Sequence, residues 1–362
     1  MLGTLGTVDE LDTPSVIVDL DVFERNVSAC LARLTRVNVR PHLKTAKSPE
    51  VARLLIEAGA RGICVAKLSE AEVMLTGGID DLLITTEIAG PVKVKRLAEL
   101  ASEWPEARIR VVVDSREGAS ALDSGLPRPL ETLVDVNVGQ DRCGVAPDDA
   151  LALADWIAGL DRLRLVGIQG YEGNLQHVRD PAERRRRCQE SMALLESVAR
   201  QLRGGGHVVD VVSTGGTGTA EFCADNAVVT EVQPGSFAFM DADYLDTAGI
   251  PYESSLAVVS TVISRPAPER AVIDAGLKTL SNDSGSARLT DAPGWSYEPA
   301  GDEHGRLTLG RASDPRALAV GDRVTLIPSH IDTTINLHDV MYAHRSGRIE
   351  AVWPVAARGK VQ

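Results

Sequence analysis

Lys44 closes the run NVRPHLK at positions 38–44. A lysine at a water-poor rim has its pKa lowered by desolvation and can then add to a carbonyl to form a Schiff base. Position alone leaves an ion-paired surface lysine open, and Lys47 is expected to face solvent. His330 and Asp332 stand two residues apart in IPSHIDTTINLHD. If that segment is extended, both side chains share a face, and an imidazole beside a carboxylate suits Mn, Zn or Mg with positions left for substrate. A hydrogen-bonded surface pair would use the same two residues. The turn STGGTGT, Ser213 to Thr219, can aim backbone N–H groups inward, a helix starting near Thr219 would add its positive end, and Gly235 and Ser236 of QPGSF could complete a phosphate cup. Arg142 in VGQDRCG could hold an oxyanion or form a structural salt bridge. Tyr171 and His177 in GYEGNLQH could stack on a ring or move a proton, and a packing role suits a lone histidine equally.

These residues need a scaffold that brings them to one mouth. From Asn38 to about Met240, eight β-branched runs alternate with helical patterns, the signature of parallel strands joined by crossover helices. The runs are 38–44, 62–66, 81–86, 108–114, 131–138, 164–171, 208–214 and 229–239. Between the first two, SPEVARLLIEAGA (48–60) predicts a helix whose buried face carries Val51, Leu54, Leu55 and Ala58, with Ser48 and Glu50 at its start and Gly59 as its stop. Eight such units predict an α/β fold, a (β/α)8 TIM-type barrel whose strand C-termini face the active site; an open doubly wound sheet is the alternative. No GxGxxG follows the first strand, which counts against a dinucleotide site. Beyond Tyr252, short runs separated by Gly, Pro and Asp predict a second, mainly antiparallel β domain. SVIVDL (15–20) is expected to return to it, giving a barrel over 21–250 and a β domain from 1–20 plus 251–362 that carries the metal motif.

The chain has 362 residues, 44% of them hydrophobic, and a formal charge of −13. That charge repels nucleic-acid phosphates and anionic membranes, so the expected ligand is a small molecule. Five scattered cysteines without a CxxC pair, the absence of a basic and apolar leader, and the absence of a long apolar run predict free thiols and a cytoplasmic location.

At these motifs the sequence resembles the D-threonine aldolase and D-serine dehydratase group of the alanine-racemase-like, fold type III pyridoxal-phosphate enzymes. The resemblance runs from LDTPSVIVDLDVFERN through RPHLKTAKSPE, GICVAKLSEAEVM, VGQDRCGV, STGGTGTAEF, GSFAFMDADY and DAGLK to PSHIDTTINLHD. It implies that Lys44 forms the Schiff base with pyridoxal 5'-phosphate, and that Thr214, Gly216, Thr217, Gly235 and Ser236 bind its phosphate. Arg142, Tyr171 and His177 would surround coenzyme and substrate, His177 in an acid/base role, and His330 and Asp332 would hold the metal. The dehydratase branch reads His-x-Cys at that motif; His-x-Asp matches the D-threonine aldolases and favours a harder ion, Mn first, with Mg or Zn as alternatives. Glu172 stands where some relatives have His, and Phe237 where some have Tyr. The implied activity is retro-aldol cleavage of a D-3-hydroxy amino acid to glycine and an aldehyde, in a homodimer. Dehydration of D-serine or 3-hydroxy-D-aspartate by the same family, a non-catalytic coenzyme carrier and an alanine racemase are the alternatives. The β region with its metal motif counts against the carrier, and a racemase needs no metal and usually a tyrosine from the partner subunit.

Overall fold

The computed structural model describes residues 6–311 and 315–362, so the first five residues of the expected β domain lie outside it. The first strand, β1 (Ser15–Asp19), leads into the helix Leu20–Arg33, capped by Asp19, whose side chain accepts from Val22 N–H. Eight parallel strands follow: β2 (Asn38–Val39), β3 (Ile63–Val65), β4 (Asp81–Ile84), β5 (Arg108–Val113), β6 (Leu130–Asp135), β7 (Leu163–Gln169), β8 (Val211–Thr214) and β9 (Glu231–Val232). Each falls within or overlaps one of the eight predicted runs. Their order is β2-β9-β8-β7-β6-β5-β4-β3. The two ends of that row meet, because Cys64 N–H donates to Pro41 O and Leu43 N–H to Cys64 O, both at 2.8 Å. The sheet therefore closes into a barrel, and the open-sheet alternative is excluded.

Side chains alternate along each strand, so every second residue points into the barrel. Three inward layers result. At the floor, Arg40 meets Asp81 at 2.7 Å and Glu231 at 2.8 Å, while Arg110 meets Glu131 at 2.7 Å and Asp81 at 3.0 Å. Above it, Cys64, Leu83, Val112, Leu133 and Val166 form a separate apolar cluster. Higher still, His42, Thr85, Asp135, Gln169 and Gln233 line the mouth. The floor seals one end with ion pairs that satisfy each other, so the polar groups left for chemistry lie at the other.

The first crossover helix spans Pro49–Ala58, with proline at its first position and Gly59 at φ 123 ending it. Ser48 does not cap it; its hydroxyl donates to Glu50 at 3.0 Å. The buried face is Val51, Ala52 and Leu55, whereas Leu54 is 37% exposed. The predicted face is thus rotated, since the small Ala52 rather than Leu54 or Ala58 meets the barrel.

Beyond the barrel come β10 (Leu256–Ala267), β11 (Arg270–Ile273), β12 (Arg288–Leu289), β13 (Trp295–Pro299), β14 (Gly305–Leu309), β15 (Arg323–Ile327), β16 (Val340–Arg345) and β17 (Arg348–Pro354). With β1 they form a nine-stranded sheet. β1 pairs antiparallel with β10 and parallel with β16, so the N-terminal strand returns to the sheet made by the C-terminal segment. All five cysteines are free, and no described helix is long and apolar enough to cross a membrane.

The floor layer gives a direct test. Glu131 accepts from Arg108, Arg110 and Arg164, and Arg110 is almost wholly buried. Removing one partner of a buried ion pair leaves an uncompensated charge, so Glu131→Ala is expected to cost about 3 kcal/mol in equilibrium denaturation. A loss below about 1 kcal/mol would show that the floor pairs are solvent-screened.

Candidate active site

A cavity of about 420 Å³ opens at the C-terminal end of the barrel strands, where the β sheet covers part of the rim. Lys44, Arg142, Tyr171, His177, Gly216, Thr217, Gly235, Ser236, His330 and Asp332 all line it. Of the site residues that the resemblance implies, Thr214 alone stays away. It is fully buried, and its hydroxyl donates to Glu172 at 3.0 Å, so it supports the wall from behind rather than facing a ligand.

Lys44 does not end a strand as expected: β2 stops at Val39, and Lys44 lies in the turn that follows the inward residues Arg40 and His42. Its Nζ lies 3.8 Å from Asp332 Oδ2. Desolvation presses its pKa down, but the Asp332 carboxylate and the Tyr171 phenol outweigh it and hold the value above the ordinary lysine range. The expected depression is therefore reversed in this state, because the burial argument omitted a carboxylate supplied by the other sheet. Beneath Lys44, His42 Nδ1 accepts from the Lys44 N–H at 3.3 Å, which leaves Nε2 to donate to Thr85 Oγ1 at 3.0 Å. Burial, with Lys44 and Arg142 close by, holds this ring well below the usual imidazole pKa, so it is a neutral support. Lys47 departs from its expected solvent position: it is buried, pairs with Glu70 at 2.9 Å and donates to Ala357 O, tying the C-terminal segment to the barrel.

The phosphate-type cup is made by two turns. Phe237 N–H donates to Thr217 Oγ1 at 3.0 Å, joining the turn after β8 to the turn after β9. Among the described residues, the N–H groups of Thr217, Gly235 and Ser236 have no internal acceptor, whereas that of Gly216 is taken by Thr219 Oγ1 at 3.1 Å. The helix behind the turn is only Ala220–Ala224, so free N–H groups rather than an extended helix dipole make the cup anion-seeking. A Cβ at position 235 would stand 2.7 Å from Thr45 Oγ1, and one at 216 would stand 2.6 Å from Gln176 Oε1, so both glycines are needed for close approach.

Glu172 lies underneath, not in the cavity. Its carboxyl group accepts from Thr214 at 3.0 Å, Thr219 at 2.5 Å and Gln176 at 3.3 Å. Gln176 in turn accepts from Gly218 N–H at 2.9 Å. The glycine-rich turn is thereby fixed from behind by a buried polar cluster. Phe237 is buried as well, edge-on to Tyr252 at 5.9 Å, a setting in which a phenol is not required.

His330 and Asp332 reach the cavity by a different geometry from the one expected. The segment is not extended: His330 is the residue before, and Asp332 lies in the first turn of, the short helix Ile331–Ile335, with Thr334 N–H donating to His330 O at 3.3 Å. His330 Nδ1 is 2.6 Å from Asp283 Oδ2, and Asp283 Oδ1 accepts from Ser281 and Thr333. Across the rim, His177 Nδ1 is 2.9 Å from Asp243 Oδ2, and its ring lies 4.4 Å from that of Tyr244. Both imidazoles thus have Nδ1 engaged, and Nε2 has no partner among the described residues. Burial holds His177 below the ordinary imidazole pKa, whereas the surrounding Asp332, Asp283 and Asp241 overcome burial and hold His330 above it. Asp332 Oδ1 is buried without a partner. On the opposite wall, burial reinforced by Glu87 and Asp114 pushes Asp135 up to about 8 against the hydrogen bond from Gln169.

This arrangement matches known proteins over its whole length. The family descriptions "Alanine racemase, N-terminal domain" and "Putative serine dehydratase domain" match residues 18–243 and 255–344. The chain is 41% identical to a D-threonine aldolase of an Arthrobacter species, over 96% of this chain and 93% of that one. It is 35% identical to a 3-hydroxy-D-aspartate aldolase of Paracoccus denitrificans, over 97% and 93%. The crystal structure of D-threonine aldolase from Filomicrobium marinum superposes with a TM-score of 0.95 at 39% identity, covering 99% of each chain.

The chain belongs to the D-threonine aldolase and D-serine dehydratase family of the alanine-racemase fold. In this family member the residues that sequence reasoning missed are mostly supports: His42, Thr45, Glu172, Gln176, Asp243 and Asp283. His42 was within reach, since it alternates with Arg40 and Lys44 in one predicted run; Asp283 sits on a loop with no pattern to mark it. Glu172→Leu would strand the Thr214, Thr219 and Gln176 groups without a partner. It is expected to lower stability by about 2–4 kcal/mol in denaturant titration, at the order of 1–3 kcal/mol for each unmade buried bond with partial relaxation. Unchanged stability would mean that the turn is held by its backbone alone.

Proposed function

We propose that this chain is a metal-activated, pyridoxal-phosphate-dependent aldolase that splits D-3-hydroxy amino acids, D-threonine among them, into glycine and an aldehyde. The observation that carries this reading is the meeting of Lys44 and Asp332 at 3.8 Å in a cavity that also holds His330, His177 and an anion cup. The cup's free N–H groups and two obligatory glycines fit a phosphate monoester. The orphaned Asp332 Oδ1, beside an imidazole whose Nδ1 is locked by Asp283, fits a divalent cation, and a carboxylate in place of a thiolate favours manganese over zinc.

Pyridoxal phosphate, when bound, supplies an electron sink for the carbanion left on the α carbon, and a divalent ion supplies Lewis acidity toward the 3-hydroxyl. The protein's own residues do the rest. Thr217, Gly235 and Ser236 fix the phosphate, and Lys44 holds the aldehyde end. Arg142, whose guanidinium carbon lies 5.7 Å from the Tyr171 ring centroid, presents a cation to the phenolate oxygen or substrate carboxylate. His177, neutral and with Nε2 free, takes the hydroxyl proton while Asp243 keeps the ring oriented. Asp283 positions His330 in the same way. Activity as a homodimer in the cytoplasm completes the reading.

Three measurements test it. Purified protein given D-threonine is expected to release acetaldehyde and glycine; 2-oxobutyrate and ammonia as the only products would overturn the aldolase reading in favour of a dehydratase. Chelation should abolish turnover and added Mn should restore it; undiminished activity after chelation would remove the metal from the reading. Asp283→Asn should weaken metal binding by calorimetry about 10–100-fold, the usual effect of losing such an outer carboxylate, while the visible coenzyme band stays. Equal affinity would show that Asp283 does not orient the ligand.

A further inference from the structure

We propose that Thr45 is an additional anchor for the coenzyme phosphate, so that two consecutive residues hold the two arms of one cofactor. The inference rests on the coenzyme reading above and adds Thr45, the residue after Lys44, to the cup residues already named. Thr45 is 1% exposed, and its Oγ1 is fully buried without a hydrogen-bond partner. It lines the cavity beside Gly216, Thr217, Gly235 and Ser236. Its hydroxyl fills the room that only glycine leaves at position 235, where a Cβ would stand 2.7 Å from Thr45 Oγ1 and 3.0 Å from His42 O.

A hydroxyl carries one donor and two acceptor positions, and leaving them unmade in the interior is costly. Such a group persists where a ligand completes it. The convergent free N–H groups of Thr217, Gly235 and Ser236 define what that ligand presents, an acceptor-rich anion, to which the hydroxyl donates. The local backbone makes the double role possible. After His42 the chain leaves the sheet in a turn closed by Lys47 N–H donating to Leu43 O at 2.8 Å, and Lys44 and Thr45 both reach the mouth from that turn. On pyridoxal phosphate the aldehyde and the phosphate arm are borne by adjacent ring carbons. Neighbouring residues of one turn therefore suit neighbouring substituents on one ring.

The test uses the full chain freed of coenzyme and compares wild type, Thr45→Val and Thr45→Ser. Each is titrated with pyridoxal phosphate and with pyridoxal, which lacks the phosphate, and its thermal midpoint without coenzyme is recorded. Thr45→Val is expected to bind pyridoxal phosphate about tenfold more weakly, the scale of one lost hydrogen bond to a charged group. Its binding of pyridoxal and its coenzyme-free thermal midpoint should not fall, because an isosteric methyl replaces an unsatisfied hydroxyl. Thr45→Ser should stay within about twofold of wild type for pyridoxal phosphate. Equal binding of pyridoxal phosphate by wild type and Thr45→Val overturns this role alone. A parallel loss for both ligands, or a lowered thermal midpoint in Thr45→Val, also overturns it, in favour of a packing role. Failure of the wild type to bind pyridoxal phosphate overturns the coenzyme reading and this inference together.

Discussion

The chemistry of this protein depends on the seam between barrel mouth and β sheet, because that seam alone brings Asp332 to Lys44. Buried Asp241, after the last barrel strand, accepts from Ile331 N–H at 3.2 Å, and Ala242 N–H donates to Pro328 O at 2.9 Å. Lys47 reaches across to Ala357 O and Lys360 O, and Ala357 N–H returns a bond to Lys47 O at 3.0 Å. These contacts fix the segment 328–332 on one side and the turn after β2 on the other. The two halves of the site cannot drift apart without breaking buried hydrogen bonds, and an open mouth would separate the His330 and Asp332 side chains from the Lys44 amine.

The barrel contributes rigidity by a different route. Its floor of interlocking Arg and Asp/Glu pairs and its apolar middle layer leave little freedom below His42 and Gln169. Above them, function requires polar groups that are not fully satisfied, and the mouth holds several, although Arg184, Arg323 and His344 also carry unpaired buried atoms away from it. Glu172 absorbs three side-chain donors behind the glycine-rich turn, whereas Thr45 Oγ1 and Asp332 Oδ1 stay unpaired where ligands would complete them. Satisfied polar clusters thus surround unsatisfied atoms, as expected where folding stability is traded for binding.

The parts legible in the sequence share one property: they follow from local periodicity. The eight barrel runs and the cavity position of Lys44, Gly235 and Ser236 come from alternation and from the rule that strand C-termini face one mouth, whereas Thr217 came from the resemblance. What was not legible came from partners distant in sequence. Thr214 looks like part of the cup until Glu172 is seen to take its hydroxyl. Lys47 looks exposed until Glu70 and the C-terminal carbonyls enclose it. His330 and Asp332 keep their cavity positions although the backbone between them is helical, because a cap and a first-turn residue can face the same opening as two alternate strand residues.

The two histidines of the site show how one device yields two roles. Each has Nδ1 bound to an aspartate, at 2.9 Å for His177 and 2.6 Å for His330, so each presents Nε2 to the cavity. Their surroundings then diverge. Asp332, Asp283 and Asp241 together overcome burial at His330, although Asp332 also lies 3.8 Å from Lys44. At His177, burial is joined by His330 and Arg179 against Asp243 and Asp332, and Asp243 is shared with the Arg179 guanidinium. Positive charge is therefore favoured beside His330 and disfavoured at His177. The proposed reading accordingly puts the cation on the first and the neutral base on the second. That division is what cleavage of a 3-hydroxy amino acid requires, since the hydroxyl must be gripped at its oxygen and relieved of its proton at the same moment.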